Sequence, residues 1–279
     1  MCKERLKKQL KNYLQSEKAL VIPLTYLILF ASLIIVISVT YSLAVAKISA
    51  RGALLKASVA KHNMQVLDDA VMSVAWSFGA SRVVYMDDCG DVFRTSPAVR
   101  NLSINFTDEE SFYDLVFDSF VGKSFYEIRF SEFNYENFFM IGDGGAITNS
   151  SPHTMTQLGI TTDDNGKELV LCYRPSATSI VINSSNIKPQ NYLRVNIINL
   201  NSSRNLTLRE MFYLKVTSEK VTTVTRQYEF NESISSLALK VALGETQTTV
   251  WLPITSNAEG ASVYLETVVC YIKLQKTQV

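Results

Sequence analysis

The chain is 279 residues long and carries 27 basic against 26 acidic residues, a net charge of +1. So even a balance excludes a basic nucleic-acid surface and an acidic disordered tail. Aromatic residues at 10% supply apolar area for a packed core, and the residues after position 46 suffice for one large domain or two small ones.

Residues 1–19 form a basic cytoplasmic leader, with Lys3, Arg5, Lys7, Lys8, Lys11 and Lys18 against Glu4 and Glu17. Residues 19–46 then run without a charge. A helix needs roughly 20 apolar residues to cross the hydrocarbon core, so a transmembrane helix is predicted over 20–46, in contact with membrane lipid. A buried soluble helix is the alternative for a shorter run. The basic leader favours a cytoplasmic N-terminus, although Lys47, Arg51, Lys56 and Lys61 follow the span and narrow that bias. Asn-x-Ser/Thr sequons stand at Asn101, Asn105, Asn149, Asn183, Asn201, Asn205 and Asn231, all beyond the span. Chance would place about two or three among the fifteen asparagines after residue 80, so the one-sided excess predicts an extracellular, glycan-bearing C-terminal domain.

The helical signal continues past the span. Leu43, Ala46, Ala50, Ala53, Ala57, Ala60, Met64, Leu67, Val71 and Val74 follow one another at alternating spacings of three and four. This heptad stripe predicts a helical stalk over 47–78. Lys47, Arg51, Lys56, Lys61, Gln65 and Asp69 occupy the opposite face. Small residues allow close helix approach, which assigns positions 43–57 to neighbouring subunits. The larger side chains from Met64 to Val74 suit docking on the chain's own domain, and docking of the whole stripe is the plainer alternative. The helix is predicted to end near Ser77-Phe78-Gly79, where glycine can take the left-handed conformation.

Beyond residue 79 the period changes to two. Leu193, Val195 and Ile197 alternate with Arg194 and Asn196, and Leu237, Leu239 and Val241 with Ala238 and Lys240. Further strands are predicted at 82–86, 91–94, 100–105, 124–130, 137–141, 155–160, 168–174, 178–183, 211–217, 221–229, 247–252 and 262–274. Asp143-Gly144-Gly145, Asp164-Asn165-Gly166 and Glu259-Gly260 mark turns between them, the first read as a hairpin turn. The fold class is therefore α+β or mainly β: a long N-terminal transmembrane helix, then an antiparallel β-sandwich-like head over 79–279. Phe112, Leu115, Val116 and Ser119 have helical spacing and suggest a short helix within 108–121.

Signals for catalysis are absent. The two histidines, His62 on the polar side of the stalk and His153 in a loop, belong to no hydrolase triad, zinc motif or phosphate-binding loop. Asp87, Asp88 and Asp91 lack the spacing of a calcium loop and read as an acidic turn. Cys89, Cys172 and Cys270 allow one disulfide with a thiol left over, or three small buried apolar residues. No metal site or cofactor is expected. Between Phe106 and Phe139, twelve of thirty-four positions are Phe or Tyr, which predicts core packing around the stalk or, if exposed together, a glycan- or subunit-binding surface.

Lys18-Ala19-Leu20-Val21, after a basic leader and before an apolar helix, resembles the class III signal sequence of archaeal type IV pilin-like proteins. The resemblance covers roughly residues 1–78. It implies cleavage by a prepilin peptidase between Ala19 and Leu20, a β-rich head behind one long helix, and pilin subunits as partners. Pro23 is similar to the proline found early in many archaeal pilins. Ala19 stands where glycine is commoner, and Leu24 where bacterial members place a glutamate. The expectation is a non-catalytic pilin-like surface protein, filament-forming or anchored, whose head serves adhesion. The alternatives are an uncleaved single-pass glycoprotein acting as a monomeric binding module, and an exported glycan-acting enzyme, which would need a carboxylate pair in a cleft.

Overall fold

The computed structural model describes residues 2–128, 138–149, 152–163, 166–182 and 188–278. Among the described residues one α-helix, α1 (Cys2–Val74), precedes thirteen strands. By compactness the chain divides into Met1–Leu54 and Leu55–Val279, and α1 contributes to both units.

The first unit is helix alone. Its long apolar side chains, from Leu24 and Tyr26 through Leu43 to Leu54, are exposed. This is one helix long and apolar enough to cross a membrane, within Leu24–Val74, and at 1.5 Å per residue the 51 residues exceed a hydrocarbon core of about 30 Å.

The second unit opens with the last five turns of α1. The helix ends at Val74, a little before the glycine predicted to stop it. The carbonyl of Val71 accepts from the Ala75 amide and that of Val74 from Ser77, and Gly79 then takes φ +77°. The strands are β1 (Ser81–Met86), β2 (Val92–Thr107), β3 (Tyr113–Ile128), β4 (Phe138–Ile141), β5 (Thr156–Asp163), β6 (Gly166–Tyr173), β7 (Ser176–Ile182), β8 (Gln190–Asn199), β9 (Leu206–Leu208), β10 (Phe212–Phe230), β11 (Ser236–Leu243), β12 (Thr246–Pro253) and β13 (Ala261–Thr277). One sheet has the order β1-β10-β13-β8-β7; the other runs β12-β11-β2-β3-β6-β5-β4, with β9 added on β2.

Three expectations are corrected. The ladder between β8 and β13 is parallel, whereas every other strand pair in the two sheets is antiparallel. The short helix proposed within 108–121 is strand from Tyr113 onward. A bulge pairs Ile104 with Phe117 but Asn105 with Leu115, which leaves Val116 over and gives the apolar residues a helix-like spacing. Asp143-Gly144-Gly145 is no tight hairpin either: it lies in a loop before β5, pinned by the buried Arg174 side chain, which pairs with Asp143 and donates to the Thr154 carbonyl at 3.0 Å. Asp164 and Asn165 of the other turn lie outside the described residues.

The sheets curl, and with the curl they change the face they bury. Val263, Leu265 and Val269 of β13 join one apolar cluster with Leu193, Val195 and Ile197 of β8 and with Leu102, Ile104, Leu237, Leu239 and Val241 of the other sheet. Cys270, Ile272 and Leu274, on the opposite face of the same strand, join a second cluster with α1. The switch coincides with a bulge in β10 between Ser218 and Lys220.

Candidate functional site

Among the described residues, α1 and a cleft at the far end of the head bear on function. On α1 the predicted stripe divides by burial. Leu43 and Ala46 are exposed, Ala50, Ala53 and Ala57 partly covered, and Ala60, Met64, Leu67, Val71 and Val74 buried. Lys18, Ala19 and Leu20 lie on the helical backbone, with side chains outside the described ones.

The buried half is held by polar contacts that the stripe alone does not reveal. Asn63 donates to the Asp87 carbonyl at 2.9 Å and to the Tyr126 hydroxyl at 3.0 Å, and its own oxygen accepts from the Asp87 amide at 3.1 Å. One turn on, a single Asp68 oxygen accepts from Thr156 at 2.8 Å and from Tyr173 at 2.9 Å. Ser218 donates to the Ala75 carbonyl at 3.1 Å, satisfying an acceptor just past the helix end. Burial raises the Asp68 pKa against the opposing pull of those two hydroxyls. Tyr126 and Tyr173 are likewise pushed upward by burial. Asn63 and Asp68 flank stripe positions Met64 and Leu67, and that adjacency is the only sequence signal they give.

At the other end of β13, a cleft of about 550 Å³ is lined by Asp108, Glu110, Ser111, Glu229, Phe230, Asn231, Glu232, Ser233 and Trp251. Asp108 organises its rim. Its Oδ1 accepts the backbone N–H groups of Glu110, Ser111 and Phe112 at 2.8–2.9 Å, and Oδ2 accepts from the Ser111 hydroxyl. Slight burial would raise this carboxyl, but the amides outweigh it and bring its pKa down to about 2. Gln227 and Ser262, donating to Glu229, hold that carboxyl low as well. Both groups are therefore ionised at neutral pH, the wrong state for a general acid in glycoside hydrolysis.

The remaining sequence candidates are dispersed. Asn101, Asn149, Asn205 and Asn231 are exposed, Asn105 and Asn201 are half-buried, and Asn183 lies outside the described residues. Cys89, Cys172 and Cys270 are free and buried, and burial lifts the Cys270 thiol to about 11. Among the described residues no three His, Cys, Asp or Glu side chains are grouped to hold a metal ion. His62 is exposed, and His153 sits in a 3-10 turn, Pro152–Met155. Gly90 donates to Asp88 at 2.7 Å, while Asp91 is buried, so the Asp87–Asp91 segment is only partly the solvated turn expected. The aromatic-rich segment divides: Phe106 and Phe112 pack with Tyr228 and Phe230, Tyr113, Phe120 and Phe138 are exposed, and Phe130, Phe133 and Tyr135 lie outside the described residues. No family model matches this chain, and no curated protein or solved structure matches it either.

Proposed function

We propose that this chain is a non-catalytic, single-pass membrane protein of pilin-like build, with a cytoplasmic N-terminus and a β-sandwich-like head displayed outside the cell for adhesion. The observation that carries the reading is the division of α1: one unbroken helix leaves its large apolar side chains exposed from Leu24 to Leu55, then buries its stripe in the head from Ala60. Exposed apolar side chains on this scale require lipid or other helices around them. The resemblance at Lys18-Ala19-Leu20 adds prepilin peptidase and other pilin subunits as proposed partners.

The test is the N-terminal residue of the protein recovered from native membranes. Leu20 is the expected result; intact Met1 or Cys2 would remove the pilin reading. A monomeric anchored module is the second reading, favoured because half the stripe is already occupied inside the head. Replacing Ala50, Ala53 and Ala57 with leucine decides between them. Loss of crosslinked oligomers with the head still folded supports assembly through the stripe, unchanged oligomers sink that claim, and a wild-type chain that crosslinks only as a monomer supports the module.

A further inference from the structure

One exposed aromatic ring stands beside an exposed sequon asparagine, and a second shares a cleft with another. Asn101 of β2 pairs directly with Phe120 of β3, so the two side chains leave the sheet on one face with Cβ atoms about 5 Å apart. Leu102 and Val121, next to them on the same strands, point into the core, whereas Phe120 is 57% exposed. At the end of the head Asn231 lines the same cleft as Trp251, which is 45% exposed. Large rings left in water are unfavourable, and each of these has a glycosylation acceptor across the strand pair or within the same cleft. A pyranose ring offers an apolar C–H face that lies flat on an aromatic ring, so a sugar on either asparagine would cover what the fold leaves bare.

We infer that Asn101 and Asn231 carry N-linked sugars whose first residues rest on Phe120 and Trp251. This rests on the reading that the head is exported. Asn105 and Asn201 are assigned as empty: each is half-buried with its side-chain oxygen sealed from solvent, and Lys240 and Leu115 stand directly across from Asn105. The transfer needs a sugar carried on a lipid phosphate and a membrane transferase. The asparagine Nδ2 attacks the anomeric carbon, a C–N bond forms and the C–O bond to phosphate breaks. The lipid phosphate departs with the bonding pair, and the amide proton passes to a base of the transferase.

Glycopeptide mass spectrometry of the full chain from its native cells tests the assignment. Sugar on Asn101 and Asn231, with Asn105 and Asn201 bare, is the expected pattern. A bare Asn101 or Asn231 overturns the assignment at that position, and sugar on Asn105 or Asn201 overturns the burial argument. Protease added to intact cells separates this from failure of the exported reading: a digested head with bare asparagines defeats the inference alone, and a protected head defeats both. The chain has two tryptophans, so Trp76→Phe leaves Trp251 as the sole reporter of the stacking. Adding Asn231→Gln to that variant should raise acrylamide quenching and shift the emission to the red. Unchanged quenching would show that no sugar lies on Trp251.

Discussion

Asp68 places a carboxylate in the seam between α1 and the strands β5 and β6, where water is scarce and two hydroxyls converge on one oxygen. Its pKa is raised above the ordinary 3.8 by burial, so the folded head favours the protonated acid. Stability from this group is therefore present at low pH and lost as pH rises above 3.8 through the raised value. Asp108, Asp114 and Asp143 are lowered and act in the opposite direction, contributing above 3.8 and failing as pH falls. The difference between wild type and Asp68→Asn isolates the one group. Asparagine keeps an oxygen for Thr156 and Tyr173 while removing the charge, so its denaturation midpoint should match or exceed wild type at neutral pH. Asp68→Ala leaves both hydroxyls without their acceptor and should cost about 1–3 kcal/mol. Urea titrations of the three proteins across pH 3.5–7, in roughly half-unit steps, would show both effects. Glycine freedom matters at Gly260, where φ is +99° and a Cβ would collide with the Phe230 carbonyl oxygen. Gly260→Ala should therefore perturb the chain beside the acidic cleft, visible as lost amide-exchange protection at Phe230.

At the scale of elements, α1 is two helices in chemical terms. Truncating Met64 or Leu67 to alanine removes fully buried side chains and should cost about 2–5 kcal/mol in the head's unfolding free energy. The same change at the exposed Leu43 should leave that quantity unaltered, which a denaturant titration in detergent would establish. Strand positions were legible because residues such as Leu237, Leu239 and Val241 alternate in and out against a single core. The change of face in β13 was not, because Val269 and Cys270 are both apolar and both buried, so the segment reads as one continuous run. Likewise the pinning of α1 was legible only as a stripe. Nothing in the spacing of Asn63 or Asp68 names Tyr126, Thr156 or Tyr173 as partners, since those contacts join residues 63 or more apart in the chain. Removing the bulge residue Glu219 should be severe, because a slip of one residue turns every side chain of half a strand to the wrong face. Limited proteolysis of the deletion variant should find β10 and β13 cleaved where wild type resists.

For the whole molecule, the exposed apolar stretch and the β-rich head call for different solvents. The full chain should require detergent for extraction, whereas a protein starting at Leu55 keeps the buried turns of α1 and should remain in the aqueous phase with a cooperative unfolding transition. Aggregation of that shortened protein would mean that residues before Leu55 also shield the head.

The place of β13 in its sheet has a consequence for the order of events during biosynthesis. The last strand in the sequence is the middle strand of five, between β10 and β8, and it supplies Cys270, Ile272 and Leu274 to the cluster that covers α1. Ribosomal order thus delivers the centre of the sheet after both of its flanks, and contacts spanning about 200 residues close late because loop-closure entropy precedes their reward. Until residue 274 has emerged, Met64 and Leu67 have no complete partner surface. A head that crosses a membrane would do so with its sheet open, and its folding would be a single late event timed by the arrival of the C-terminal strand.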